Sequence, residues 1–303
     1  MNQEMPAALL GGLLLSLVWG GPSTACVNTY SEAEHPTRVE RPSDYISRLK
    51  AHPEHDRLAK GPAPQDPGSS AGYKARSDYA AVLVHRGESQ RAVEILESVE
   101  AGHPGEYVVA ANLGTAYELS GDLVKAHHWI SEGIRRNPRS HEGTEWLHLR
   151  ILETRQALAQ DPSWLKSHSV LGLDFGSDAK PQSPPAWPKG ADDAEDVITA
   201  LAYQLHERLA FVPPPDPLVG GMIADLADLL VLFRNVDFAI PVYQLALTYQ
   251  PISASLVASR LEMSEEVRRT RHPLDTRLVP LLGGIAVSTL LAAAFLVWWR
   301  GAR

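Results

Sequence analysis

The stretch His141-Glu142-Gly143-Thr144-Glu145-Trp146-Leu147-His148 holds the residues best suited to chemistry. His141 and Glu145 stand one helical turn apart, and His148 follows three residues later. Such offsets share a helix face, the spacing at which imidazole and carboxylate groups can grip one metal ion. A zinc-protease H-E-x-x-H motif needs histidine at 145, where this chain has Glu145. Glu145-x-x-His148 resembles half of a di-iron carboxylate site, which in a helical bundle needs a second such pair on a facing helix. His127 and His128 are adjacent, so a helix splays them apart. No phosphate-cradling glycine loop and no constellation of nucleophile and base points to catalysis. Two readings follow. One is a metal-binding helical protein with His141, Glu145 and His148 as ligands. The other is a scaffold without enzymatic activity or cofactor, in which these are satisfied polar groups at the end of a helical stack.

Bulk properties narrow the field. The 303 residues carry a net charge of −8, which argues against binding nucleic acid, since a phosphate backbone calls for a positive stripe. Hydrophobic residues make up 44% and charged ones 21%, the composition of a globular chain with a real core. Cys26 is the single cysteine, so neither an internal disulfide nor a thiolate metal cluster is possible.

The element that positions the 141–148 stretch is a repeat. Tyr79, Gly87, Ala92, Leu96 and Pro104 recur, 34 residues later, as Leu113, Gly121, Ala126, Ile130 and Pro138. This period predicts two helix–turn–helix units, 73–106 and 107–140, turning at Gly87 and Gly121 and ended by the two prolines. Ala92 and Ala126 are small where the helices of a pair cross. The phase runs on into 141–160, where Leu147 and Ile151 fill core positions but His148 replaces the small residue, as in a terminal element.

On either side the organisation is simpler. Residues 26–72 are polar and close on the linker Gly61-Pro-Ala-Pro-Gln-Asp-Pro-Gly-Ser-Ser, with one short helix expected around Asp44 to Leu58. The helical domain 73–170 is followed by a proline-rich linker, 171–191. A helix over Asp192 to Ala210, stopped by Pro213 to Pro217, leads into a weaker repeat from Gly220 to Tyr249. Arg234-Asn235 stands there in place of the turn glycine, and asparagine tolerates the left-handed conformation. Ser253 to Arg269 closes a second helical unit, 192–272. No strand is expected.

The 34-residue spacing and the intact Leu113-Gly114-x-x-Tyr117 element resemble the tetratricopeptide-repeat superfamily over 73–160, and more loosely over 192–269. The resemblance implies an all-α, solenoid-like stack of helix–turn–helix repeats that binds a protein or peptide in the groove lined by first helices. The groove positions are then Lys74, Ser77, Ala81, His85, Val108, Asn112, Thr115, Glu118, Glu142, Glu145, Trp146 and Glu153. Asn112 stands where many members hydrogen-bond a ligand backbone. The carboxylate clamp of chaperone-binding members is missing, with Ser77 and Ala81 in place of lysine and asparagine, and Glu142 and Trp146 in place of basic residues. Four glutamates favour a basic or neutral partner.

The ends suggest a location. Ala7 to Trp19 is an apolar run of signal-peptide length, and Ser23-Thr24-Ala25 offers small residues before a cleavage point, giving a signal peptide over 1–25. Its first residues lack Lys and Arg. Ser23 stands where a lipobox needs Leu, Val or Ile, which speaks against acylation of Cys26. Val279 to Trp299 is uncharged and, at 1.5 Å per residue, about 31 Å long, enough to span a bilayer. Its Trp298-Trp299 suits an aromatic belt, and the tail 300–303 is basic, unlike a GPI signal. The expectation is a single-pass membrane protein, extracytoplasmic from 26 to 278, with a cytoplasmic C-terminus. Arg268, Arg269, Arg271 and Arg277 on the outer flank oppose the positive-inside rule, and the cleaved leader takes precedence.

Overall fold

The computed structural model describes residues 42–271, and eleven α-helices with no strand are found among them. The leader, Cys26, the 279–299 span and the 300–303 tail lie outside the described residues. No helix among those described is long and apolar enough to cross a membrane.

The expected single helix over 44–58 is two, α1 (Pro42–Lys50) and α2 (Pro53–Lys60). Pro53 cannot donate to a preceding turn, so it starts a helix instead of continuing one. Nor is this region a mere linker. Tyr45 and Leu49 are buried in the core, and the Tyr45 ring meets Phe238 edge-on at 6.0 Å.

Residues 73–136 form two helical pairs, α3 (Tyr73–His85) with α4 (Ser89–Gly102), and α5 (Tyr107–Ser120) with α6 (Leu123–Arg136). Gly87 (φ 78°) and Gly121 (φ 92°) take the left-handed conformation that turns each pair. Gly114 explains the close crossing of the second pair. A Cβ there would lie 2.3 Å from Ile130 Cδ1, so only glycine lets the helices meet. Tyr79, Leu83, Leu96, Leu113 and Ile130 fill the space between them, each large apolar side chain contributing about 1.5–3 kcal/mol by leaving water.

A 3₁₀ turn, Ser140–Gly143, leads into α7 (Glu145–Gln160). After an irregular segment come α8 (Ala194–Leu209), α9 (Pro217–Phe233), α10 (Val236–Thr248) and α11 (Ala254–Arg271). Asp193 caps α8 through the backbone N–H groups of Glu195 and Asp196 at 2.8 and 3.1 Å. Asn235 departs from expectation. Its backbone is extended (φ −162°), and its side chain caps α10 by accepting from Asp237 N at 2.9 Å. The turn before α10 thus uses asparagine as an acceptor and makes no use of its tolerance for positive φ.

α7 joins the two halves. Its Leu152 packs with α3–α6, while Leu147 and Ile151 belong to the core built by α8–α11. The proline-rich stretch between α7 and α8 is irregular, as expected, yet it is packed down. Val170, Leu171 and Phe175 are buried, and Gly190 (φ 109°) lies so close on Trp146 that a Cβ would stand 2.6 Å from its ring.

Candidate functional site

The sequence placed the groove on the face formed by α3, α5 and α7, and in the structure α8 of the same chain lies over the part of it formed by α5, the 140–144 turn and α7. Residues Tyr203, Gln204, Glu207 and Arg208 lie on one side of α8, and all four are buried. Tyr203 stacks on His141 with ring centroids 5.3 Å apart. Gln204 donates to Thr144 Oγ1 at 3.4 Å, and Arg208 donates to Glu118 Oε1 at 2.6 Å. Beyond the end of α8, Phe211 stacks on His85 at 5.4 Å.

Beneath α8 the three residues singled out from the sequence come together. His141 Nδ1 is hydrogen-bonded to Glu145 Oε1, and His148 Nδ1 lies 3.3 Å from Glu145 Oε2. His148 Nε2 reaches Glu118 Oε2 at 2.7 Å, and Tyr107 Oη is 3.3 Å from His141 Nε2. The chain of contacts therefore runs Tyr107, His141, Glu145, His148, Glu118, Arg208, with Arg155 Nε 3.4 Å from Glu118 Oε1. Local backbone pays for the arrangement. His141 (φ 48°) and Glu142 (φ 57°) are left-handed without being glycine, a strained pair held by Thr144 Oγ1 donating to the His141 carbonyl at 2.7 Å.

Electrostatics explain why so many charges tolerate burial. Burial alone would raise the Glu145 pKa, and the neighbouring His141 and His148 outweigh it, holding the carboxyl far below its usual range. At Glu118 burial again pushes upward and is overcome by Arg208 and His148. Both carboxylates are thus ionised and matched from α7 and α8. The imidazole nitrogens face carboxylate oxygens and the Tyr107 hydroxyl instead of converging on one point. Among the described residues, no three or more His, Cys, Asp or Glu side chains are arranged to hold a metal ion.

The remaining groove candidates separate into two sets. Ser77, His85, Asn112 and Thr115 are buried, along with Glu145, and of these only Thr115 borders an open cleft. Lys74, Glu142 and Glu153 are exposed, and Glu153 lies 3.6 Å from His127. Trp146 is partly buried under the irregular segment. His85 meets His55 of α2, Nδ1 to Nδ1, at 3.1 Å, and Arg86 donates to the carbonyls of Leu58, Ala59 and Gly61, each at 3.2 Å. These bonds hold α2 against the end of α3.

What stays open is a cleft of about 530 Å³ where α5, α7 and the end of α8 diverge. Leu119, Leu123, Leu158, Phe211 and Val212 form its apolar walls, and Glu118, Arg155 and Asp216 lie among its polar lining. Arg155 and Asp216 are 3.4 Å apart.

The α8 contributors, Tyr203, Gln204 and Arg208, went unnoticed in the sequence. A signal existed. Gln204 and Arg208 interrupt an otherwise apolar helix face one turn apart, which marks polar groups with buried partners. One motif bears on catalysis as well. Gly68-Ser69-Ser70-Ala71-Gly72 has the G-x-S-x-G spacing of a nucleophile elbow, but it follows no strand, and Ser70 is exposed in the turn before α3. No protein-family model matches the chain, and no curated protein matches it either.

Proposed function

We propose that this chain is a membrane-anchored, extracytoplasmic helical-repeat scaffold that docks a protein partner. The carrying observation is the open cleft between α5, α7 and α8, where an apolar rim surrounds a charge-matched floor. Such a surface suits an apolar anchor side chain from a neutral or basic peptide, with energy concentrated in a few contacts. The tetratricopeptide-like spacing supports the architecture, and the apolar 279–299 segment supports the anchor. The absence of a nucleophile–base pair within the buried network favours binding over catalysis.

A photo-crosslinking residue at Leu119, which is exposed, tests the docking surface, with Glu94 on the outer helix α4 as the control position. A discrete adduct from position 119, absent from position 94 and lost on Val212→Asp, is the expected result. Equal labelling from both positions would overturn the assignment. Deleting 279–303 should separately move the protein from the membrane to the soluble fraction.

A further inference from the structure

Four imidazoles gather where α2 lies on the rest of the fold. His55 of α2 meets His85 of α3, Nδ1 to Nδ1, at 3.1 Å. His52, which caps α2, packs on His206 of α8 with ring centroids 4.9 Å apart. His55 also stands edge-on to Phe211 at 4.9 Å, and Phe211 is a wall of the docking cleft. We infer that α2 is an acid-released clasp, closed against Phe211 at neutral pH and freed when these histidines take up protons. Its effect on the cleft rests on the docking function proposed for that cleft, whereas the release itself does not.

The contacts require neutral rings. A hydrogen bond between two Nδ1 atoms needs one ring to donate and the other to accept, and two imidazolium rings can only donate. His206 Nδ1 is 2.9 Å from the Arg48 carbonyl, which can only accept, so that nitrogen carries the proton. A further proton on His206 sets a cation against the His52 ring. Counter-charges are committed elsewhere. On α2 itself Glu54 is paired with Arg57 and Asp56 with Lys60. The packed elements add Arg48 from α1, Arg86 from α3, and Glu207 and Arg208 from α8, where Arg208 is paired with Glu118. Among the described residues none of the four imidazoles forms an ion pair with a carboxylate. Burial holds all four below the ordinary imidazole value, to about 3 at His85 and about 4 at His52.

Apolar packing does little to hold α2. None of its side chains is buried, while Tyr45 and Leu49 anchor α1 in the core. α2 can therefore leave with α1 and the repeat helices still folded. The other tie is Arg86, whose guanidinium donates to the carbonyls of Leu58, Ala59 and Gly61. Arg86 keeps its charge throughout, so it sets how much acid release takes, and the histidines set the direction. Each imidazole that is neutral with α2 docked and protonated with α2 free favours release about tenfold more per pH unit below about 6.5. Docking is thus complete above that value and is lost as pH falls. Phe211 is held by two rings, His55 and His85, and release removes the first.

Hydrogen exchange of the full-length protein in detergent tests the inference, read by mass spectrometry at about pH 7.5 and about pH 5 and corrected for the intrinsic rate. Corrected exchange over residues 51–62 should rise at least about tenfold in acid, with a much smaller rise over α5 and α6. His55→Lys places a fixed charge in the contact and should expose 51–62 already at the higher pH. The double variant His52→Gln/His55→Gln keeps hydrogen-bonding groups without their titration and should lose most of the acid response. The adduct from position 119 should fall in acid together with the protection of α2. Unchanged wild-type protection, a rise equal across the fold, full protection of His55→Lys at the higher pH, or a full acid response in the double variant would each overturn the clasp. An undiminished adduct while α2 opens would overturn its link to the cleft. No adduct at either pH would defeat the docking function alone, with exchange still deciding the clasp.

Discussion

Arg208 of α8 and Glu118 of α5, 90 positions apart in the chain, form a buried ion pair at 2.6 Å. The pair fastens α8 over the face that the repeat helices would otherwise present. Glu118 also accepts from His148, so one carboxylate organises three helices.

Removing one partner should therefore cost more than removing both. Glu118→Ala leaves Arg208 buried without its counter-charge, and a loss of about 3–5 kcal/mol is expected. The double variant Glu118→Ala/Arg208→Ala should be less destabilised than the sum of the single ones. Urea unfolding of all four proteins checks this, and strict additivity would mean the pair is not coupled.

Gly114 should tolerate no side chain. The 2.3 Å approach of a Cβ to Ile130 Cδ1 predicts that Gly114→Ala destabilises by about 1–3 kcal/mol. Trimming the neighbour in Gly114→Ala/Ile130→Ala should recover part of that loss relative to Ile130→Ala alone. Thermal melts of the set decide.

Arg260→Ala should loosen the irregular segment. It leaves Asp228 without its cation and frees the carbonyls of Phe175, Gly176 and Asp178. Breaking a buried pair of this kind costs about 3–5 kcal/mol. Limited proteolysis should cut faster between residues 164 and 190 than in the wild type, with slower change in α3–α6.

Acid should weaken the fold partly through the histidines near α2. His85 is pushed down to about 3 by burial, helped by His55 and Arg57, and His52 to about 4 by burial, helped by His206. Both are neutral in the native state, whereas the unfolded chain protonates them near pH 6.5. Their contribution is complete above about pH 6.5 and falls as pH drops towards the native values, for His85 by about 1.4 kcal/mol per pH unit. Asp228, raised to about 6 chiefly by burial, has the opposite sign: its contribution is present below the unfolded pKa and is lost as pH rises to 6. Urea midpoints between pH 4 and 7 should therefore show a shallower acid slope in His85→Leu than in wild type.

Metal should make little difference to stability. His141 faces Glu145 and Tyr107 with its two nitrogens, and His148 faces Glu118 and Glu145. Chelator treatment followed by zinc titration should leave the melting temperature unchanged. A zinc-dependent rise that is lost in His141→Ala and His148→Ala would restore the metal-binding reading.

The local architecture was legible because it is written at short range. The 34-residue spacing located four helices, and Gly87 and Gly121 marked turns whose positive φ only a residue without Cβ adopts cheaply. Gly114 announced a close crossing without saying which side chain it meets. Glu145 and His148 could be placed together because a helical offset of three decides proximity without tertiary information. His141, by contrast, meets Glu145 from a left-handed backbone ahead of the helix and not from the helical offset the sequence suggested. Whether they faced solvent, metal or one another was a different matter. That depended on α8, which begins about fifty residues after the start of α7, past an irregular segment whose path no local rule encodes. Packing of the apolar side of α8 against α9, α7 and α1 fixes where its polar residues point. Arg208 consequently lands on Glu118 and Tyr203 on His141, and α8 covers part of the expected groove. Helices and turns follow from backbone preferences a few residues apart, whereas the partners of buried charges are set by which surfaces the assembled core brings together.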